Sequence, residues 1–101
     1  MIEAGESVQR FISNRRSSDF DSDQMLLFAV VRAIEVLGEA ANKVSEDMRS
    51  ASPEIPWSAI IDMRNRLIHG YFDIDADIVW NTASIEIPAL LDALRKIVDE
   101  P

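Results

Sequence analysis

Leu26-Leu27-Phe28-Ala29-Val30-Val31-Arg32-Ala33-Ile34-Glu35-Val36-Leu37-Gly38-Glu39-Ala40-Ala41-Asn42-Lys43-Val44 is the stretch that decides the fold. Within it Leu26, Ala29, Val30, Ala33, Leu37, Ala40, Ala41 and Val44 recur as one broad apolar stripe, the repeat of an α-helix. A second line on the opposite side reads Phe28, Val31, Glu35, Gly38, Glu39 and Asn42, its first members stepping by three, four and three. One account makes these scattered surface apolars, which are common. The other makes this a helix packed on both sides, with a core behind and a partner in front. Asp21 and Ser22, just upstream, offer N-cap oxygens.

Toward the N-terminus, Met1, Ala4, Val8 and Phe11 repeat at threes and fours and mark an amphipathic first helix, ended by the polar run Ser13 to Ser18. Toward the C-terminus, Glu46 to Ser52 reads as a short helix halted before Pro53. Pro56 suits the first turn of a third long helix, where its missing N–H is not needed; Gly70 breaks that helix after Ile68. The last helix starts near the capping candidate Asp75, with Ala76, Val79, Ala83, Ile87, Leu90, Leu94 and Ile97 as its stripe. Pro88 lies off the stripe and is expected to bend the helix on its solvent side. Nothing alternates with period two. The expectation is an all-α, compact up-and-down bundle of about four to five helices, one domain over residues 1–101.

Composition narrows the function. The chain has 101 residues, 48% of them hydrophobic, enough for one globular core. A core of that size is marginal alone and gains from oligomerisation. With no cysteine, neither a disulfide framework nor a thiolate metal site can form. The start, Met1 to Glu6, is acidic and lacks a signal peptide's apolar core, and no run approaches the ~20 apolar residues of a membrane span. The cytoplasm is therefore the expected compartment, with no membrane partner. A formal charge of −8 argues against a general nucleic-acid scaffold, whose affinity comes from Lys and Arg neutralising phosphates. It leaves room for an enzyme with a local basic pocket.

The pattern breaks between Arg64 and Tyr71. At about 100° per residue, Trp57, Ile60, Ile61, Met63, Leu67 and Ile68 share one face of the third helix, and Arg64 falls in its middle. A buried guanidinium is costly unless paired. Either Arg64 snorkels out along its stem, or a carboxylate meets it, with Glu35 and Glu39 as candidates. Asn65 and His69 stand four apart and share a face. A lone histidine at a helix end is commonly a packing residue or dipole partner. Beside an arginine, a helix break and Tyr71 it becomes a candidate proton-transfer group, with arginine as the donor for phosphate charge.

Other chemistries lack their residues. One histidine, no cysteine and no HExxH pair make a protein-built zinc site unexpected. No GxxxxGK[ST] or GxGxxG loop and no serine nucleophile elbow is present. Asp73, Asp75 and Asp77 lack the glycine and twelfth-position glutamate of a calcium loop, so a cap and a solvated loop account for them. No cofactor is expected.

Arg64-Asn65-Arg66-Leu67-Ile68-His69-Gly70-Tyr71 resembles the Arg-x4-His-x-Tyr motif of HEPN-domain proteins, specifically the HepT-like toxin family. Ile34 to Asn42, Pro53 to Trp57, Met63 to Phe72 and Ile78-Val79-Trp80 look like successive blocks of the same family, in order, over roughly residues 25–98. The resemblance implies a helical bundle that dimerises with its two motifs facing each other. It also implies a metal-independent endoribonuclease toxin, with tRNA or mRNA among its substrates, neutralised by a minimal nucleotidyltransferase antitoxin that can transfer AMP to the motif tyrosine. Carried over, Arg64 and His69 are catalytic, Tyr71 is the AMP acceptor, and Asn65, Glu35 and Glu39 are supporting residues. The first helix looks shorter than is typical of the family.

Two further readings stand beside the toxin. One is a non-catalytic nucleotide-binding or AMP-accepting subunit of a nucleotidyltransferase, which the −8 charge favours. The other is a plain helical interaction domain, for which His69 and Tyr71 would both be dispensable.

Overall fold

The computed structural model describes residues 1–69 and 74–99. Its elements are α1 (Ile2–Ile12), α2 (Asp19–Ser22), α3 (Gln24–Asn42), α4 (Glu46–Ala51), α5 (Trp57–His69), α6 (Ala76–Asn81), a π-helical segment (Thr82–Glu86) and α7 (Ile87–Asp99). No strand occurs among the described residues, and the architecture is all-α. Four long arms, with α6, the π segment and α7 forming one of them, carry the bundle, and α2 and α4 are short connectors.

The central element is α3. Its start lies one residue beyond the expected caps: Asp23 accepts a hydrogen bond from the Leu26 N–H at 3.1 Å, while Asp21 and Ser22 belong to the separate helix α2. The polar run before it hid that helix, because its one anchor, Phe20, is a lone apolar residue (2% exposed) without a period to announce it. From α3, Leu26, Val30, Ala33, Leu37 and Ala41 are buried as the stripe requires, and so are Val31 and Gly38 of the second line. The helix is thus packed on more than one side. α1 and α2 cover part of it, and α5 meets the face carrying Gly38. Phe28, at 54% exposed, stays outside this packing.

α1 lies between α3 and α7. Val8 is fully buried, whereas Phe11, an expected core residue, is 37% exposed. Gly5 is buried as well, so close to α7 that a Cβ there would fall 2.8 Å from Leu91 Cδ2. On the last arm, Val79, Ala83, Ile87, Leu90 and Leu94 are buried along the expected stripe, joined by Leu91. Asp75 caps α6 by accepting from the N–H groups of Asp77 (2.9 Å) and Ile78 (3.3 Å).

Pro88 does more than tilt a continuous helix. Just before it the backbone widens into a π turn, with the Ile87 N–H reaching back to the Thr82 carbonyl. Proline cannot donate to the carbonyl four residues earlier, that of Ser84. Upstream, the Thr82 and Ser84 hydroxyls donate to the carbonyls of Ile78 and Trp80 at 2.9 and 2.7 Å, a pattern that loosens a helix locally.

α5 is held mainly by α3. Of its expected inner face only Leu67 is buried; Trp57, Ile60, Ile61, Met63 and Ile68 are half-buried. An apolar groove of about 360 Å³ opens between α5 and the last arm, lined by Ile60 and Met63 on one side and Ile87 and Leu90 on the other, over Ile34 and Leu37. The chain enters α5 through Ile55, a core residue (2% exposed) between two prolines that no periodicity flags.

Candidate active site at the end of α5

Arg64 sits on α5 where that helix crosses α3, and the crossing is tight. A Cβ placed on Gly38 would lie 2.3 Å from Arg64 Cβ and 2.8 Å from its Cγ. The Arg64 side chain is consequently enclosed at its root and half-buried overall. Its Nη1 donates to Asn65 Oδ1 at 3.0 Å. Its Nε is shut off from solvent and meets no hydrogen-bond acceptor among the described residues.

The two carboxylates expected to meet Arg64 are engaged on their own helix. Glu35 pairs with Arg32 at 3.5 Å and Glu39 with Lys43 at 3.8 Å. Among the described residues no carboxylate forms an ion pair with Arg64. A partner one helical turn away on the same helix is reached with little loss of side-chain freedom. At the crossing itself, by contrast, α3 presents the bare backbone of Gly38. Glu35 does line a hollow of about 280 Å³ with Phe28, Val31, Arg32, Leu67 and Ile74, beside the last turn of α5.

The helix runs unbroken through His69. That register puts His69 one turn beyond Asn65, on the same side of the helix. Arg64 and His69 themselves are five residues apart and do not stack on one face, while Asn65, which Arg64 grips, stands between them in the sequence. The side chain of His69 and all of Tyr71 lie outside the described residues. An arginine held by a neutral amide keeps its whole charge available to an incoming anion.

The model of the family described as HepT-like, ribonuclease HepT-like, matches residues 1–97. The chain belongs to that family. A HepT-like relative from Thermococcus cleftensis, named "Probable ribonuclease HepT", is 38% identical over 97 residues, covering 96% of this chain and 88% of its own. A second, "Putative RNase MJ1216" from Methanocaldococcus jannaschii, is 36% identical over 100 residues, covering 99% and 83%. No solved structure gives a significant match.

Of the HepT-like motif residues named from the sequence, Arg64 and Asn65 are in contact, and Glu35 and Glu39 stand apart from Arg64. Gly38 is the site residue whose part was missed; its position in the second line of α3 was visible, but not that α5 would cross there. Among the described residues no group of three or more His, Asp or Glu side chains is placed to hold a metal ion, and no helix is long and apolar enough to cross a membrane.

Proposed function

We propose that this HepT-like chain is a metal-independent endoribonuclease, the toxin of a pair whose antitoxin is a minimal nucleotidyltransferase. The observation that carries this reading is the Arg64–Asn65 contact on the His69 side of α5: a guanidinium fixed by an amide and left un-neutralised by any described carboxylate. In the reaction the RNA 2′-oxygen attacks the adjacent phosphorus and loses its proton to a base. The P–O5′ bond breaks, the leaving 5′-oxygen takes a proton from an acid, and a 2′,3′-cyclic phosphate remains. Arg64 binds the phosphate and its transition-state charge, and His69 transfers protons, since an imidazole titrates near neutrality.

One chain has one histidine, while the reaction needs both a base and an acid. Two copies with their motifs facing each other supply two histidines and two arginines, so the working unit is a homodimer. Inhibition follows from Tyr71, two residues from His69. The antitoxin joins the Tyr71 oxygen to the α-phosphorus of ATP, pyrophosphate leaves, and the phenolic proton passes to a base. The attached AMP puts a phosphate where that of RNA must sit. It blocks substrate without unfolding the protein.

The test is end-labelled RNA incubated in excess chelator with purified protein whose intact mass shows no AMP adduct, beside His69→Ala. Cleavage that leaves cyclic-phosphate ends and disappears in the variant is the expected result. The net charge of −8 favours the other reading, a non-catalytic AMP-accepting partner subunit. Absence of cleavage by adduct-free dimer across several RNA classes, tRNA included, would overturn the nuclease reading and favour that alternative.

A further inference from the structure

We infer that Gly38 is a positioning residue for Arg64: by having no side chain it lets α3 press on the arginine's root and so fixes where the guanidinium points. The kinetic part of this inference rests on the ribonuclease reading above; the contact itself does not.

The fold offers Arg64 few constraints. No described carboxylate anchors it, and among the described residues its one side-chain hydrogen bond, to Asn65, is made to its own neighbour on the same helix. Anything that fixes the arginine relative to the rest of the bundle must act lower down the side chain. There the structure is specific. An added Cβ at Gly38 would stand 2.3 Å from Arg64 Cβ, 2.8 Å from Arg64 Cγ and 3.3 Å from the Ile60 carbonyl oxygen. These are the root of the side chain and the backbone of α5, not a flexible end that can swing away. Nonbonded carbons settle at about 3.5–4.0 Å, and no rotamer change moves Arg64 Cβ, so relief requires α5 to move off α3 by more than about 1 Å. That movement relocates the guanidinium, and misplacing a catalytic group by about 1 Å can cost about a hundredfold in rate.

The same molecule contains a matched control. Gly5 also sits in a close helix crossing, but its added Cβ would meet Leu91 Cδ2 at 2.8 Å and Cγ at 3.1 Å, the outer atoms of a buried side chain in the α1–α7 packing, and no atom of Arg64. Away from such contacts, alanine in a helix interior is favoured over glycine. A loss specific to position 38 therefore reports the contact, not the propensity.

The experiment compares full-length Gly38→Ala with Gly5→Ala under conditions where circular dichroism and light scattering show both folded and in the wild-type oligomeric state. Cleavage rate at saturating RNA is expected to fall about 10- to 100-fold in Gly38→Ala, with KM changed by less than about threefold, and to hold near wild type in Gly5→Ala. A wild-type rate in Gly38→Ala, or equal losses in both variants, overturns the inference. Thermal unfolding provides an arm that needs no activity. In an Arg64→Gly background the clashing Cβ and Cγ are gone, so adding Gly38→Ala should lower Tm clearly less than it does with Arg64 present. An equal drop in both backgrounds shows that the residue at 38 does not act on Arg64. Wild-type protein that cleaves no RNA refutes the ribonuclease reading instead, and the unfolding cycle still decides the contact.

Discussion

Asn65 Oδ1 accepts the hydrogen bond of Arg64 Nη1 at 3.0 Å, so the charged group of the site is steadied by a neutral one. A carboxylate in that place would hold the guanidinium more firmly and cancel the charge that an RNA phosphate needs. An amide gives up some strength and keeps the field. In a molecule of net charge −8 that choice has weight, because the summed long-range potential repels RNA.

Two substitutions at Asn65 separate holding from charge. Asn65→Ala removes a hydrogen bond to an ionised group, a net term of about 1.5–3 kcal/mol, of which the part expressed in the transition state is expected to slow cleavage about tenfold. Asn65→Asp can keep the geometry but places an anion against Arg64, and it should be the slower of the two. Rates at saturating RNA check this. If Asn65→Asp retained more activity than Asn65→Ala, holding would matter and neutrality would not.

Arg64 should also leave a signature in the salt dependence of binding. Each phosphate neutralised contributes a slope of about −0.7 in log K against log salt for single strands. Measured in the non-cleaving His69→Ala protein, removing Arg64 is expected to reduce the slope by about one such contact. Binding that weakened with no change of slope would place Arg64 away from the phosphate.

The difference between what could and could not be read from the residues is physical. The stripe from Leu26 to Ala41 and that from Val79 to Leu94 are buried as their spacing demands, because helix geometry converts spacing into direction. Asp75 caps because a carboxylate before an apolar run has one local use. Local rules failed where two helices had to meet. Glu35 and Glu39 looked equally able to reach Arg64, and intrahelical cations hold both. Phe11 fits its period and is still 37% exposed, while its neighbour Ile12 packs against the core. The π turn before Pro88 was legible only as a bend, because a missing N–H reveals a broken ladder but not the register that replaces it.

Arg49 should matter to stability beyond its size. From α4 its Nη2 donates to the carbonyls of Ala41 at 3.1 Å and Asn42 at 2.9 Å at the end of α3, where the Ala41 carbonyl also takes the Val44 N–H at 3.2 Å. It also brings a cation to the negative end of that helix. Arg49→Ala is expected to cost about 1–2 kcal/mol, read as a lower urea midpoint at constant m-value. Arg49→Lys should recover only part, as both bonds come from the far nitrogen Nη2, which the shorter lysine reaches less well. No shift in the midpoint would mean that water serves those carbonyls equally well.

Phe20 sets the last expectation, since it shows what the unannounced helix α2 is for. It is 2% exposed and meets Trp80 edge-on, with ring centroids 5.4 Å apart and planes at 78°. Through this pair the connector before α3 is tied to the α6 end of the last arm, close in sequence to the π turn. Phe20→Ala removes the ring from a packed core and is expected to cost about 3–5 kcal/mol, a large share of the whole stability of a domain this size. Phe20→Leu, which keeps most of the apolar volume and loses the edge contact, should cost much less. Urea unfolding of the three proteins decides it. A loss below about 1 kcal/mol for Phe20→Ala would be that of an ordinary surface change, and would mean that α2 is a passive link and that α3 finds its place against the last arm without it.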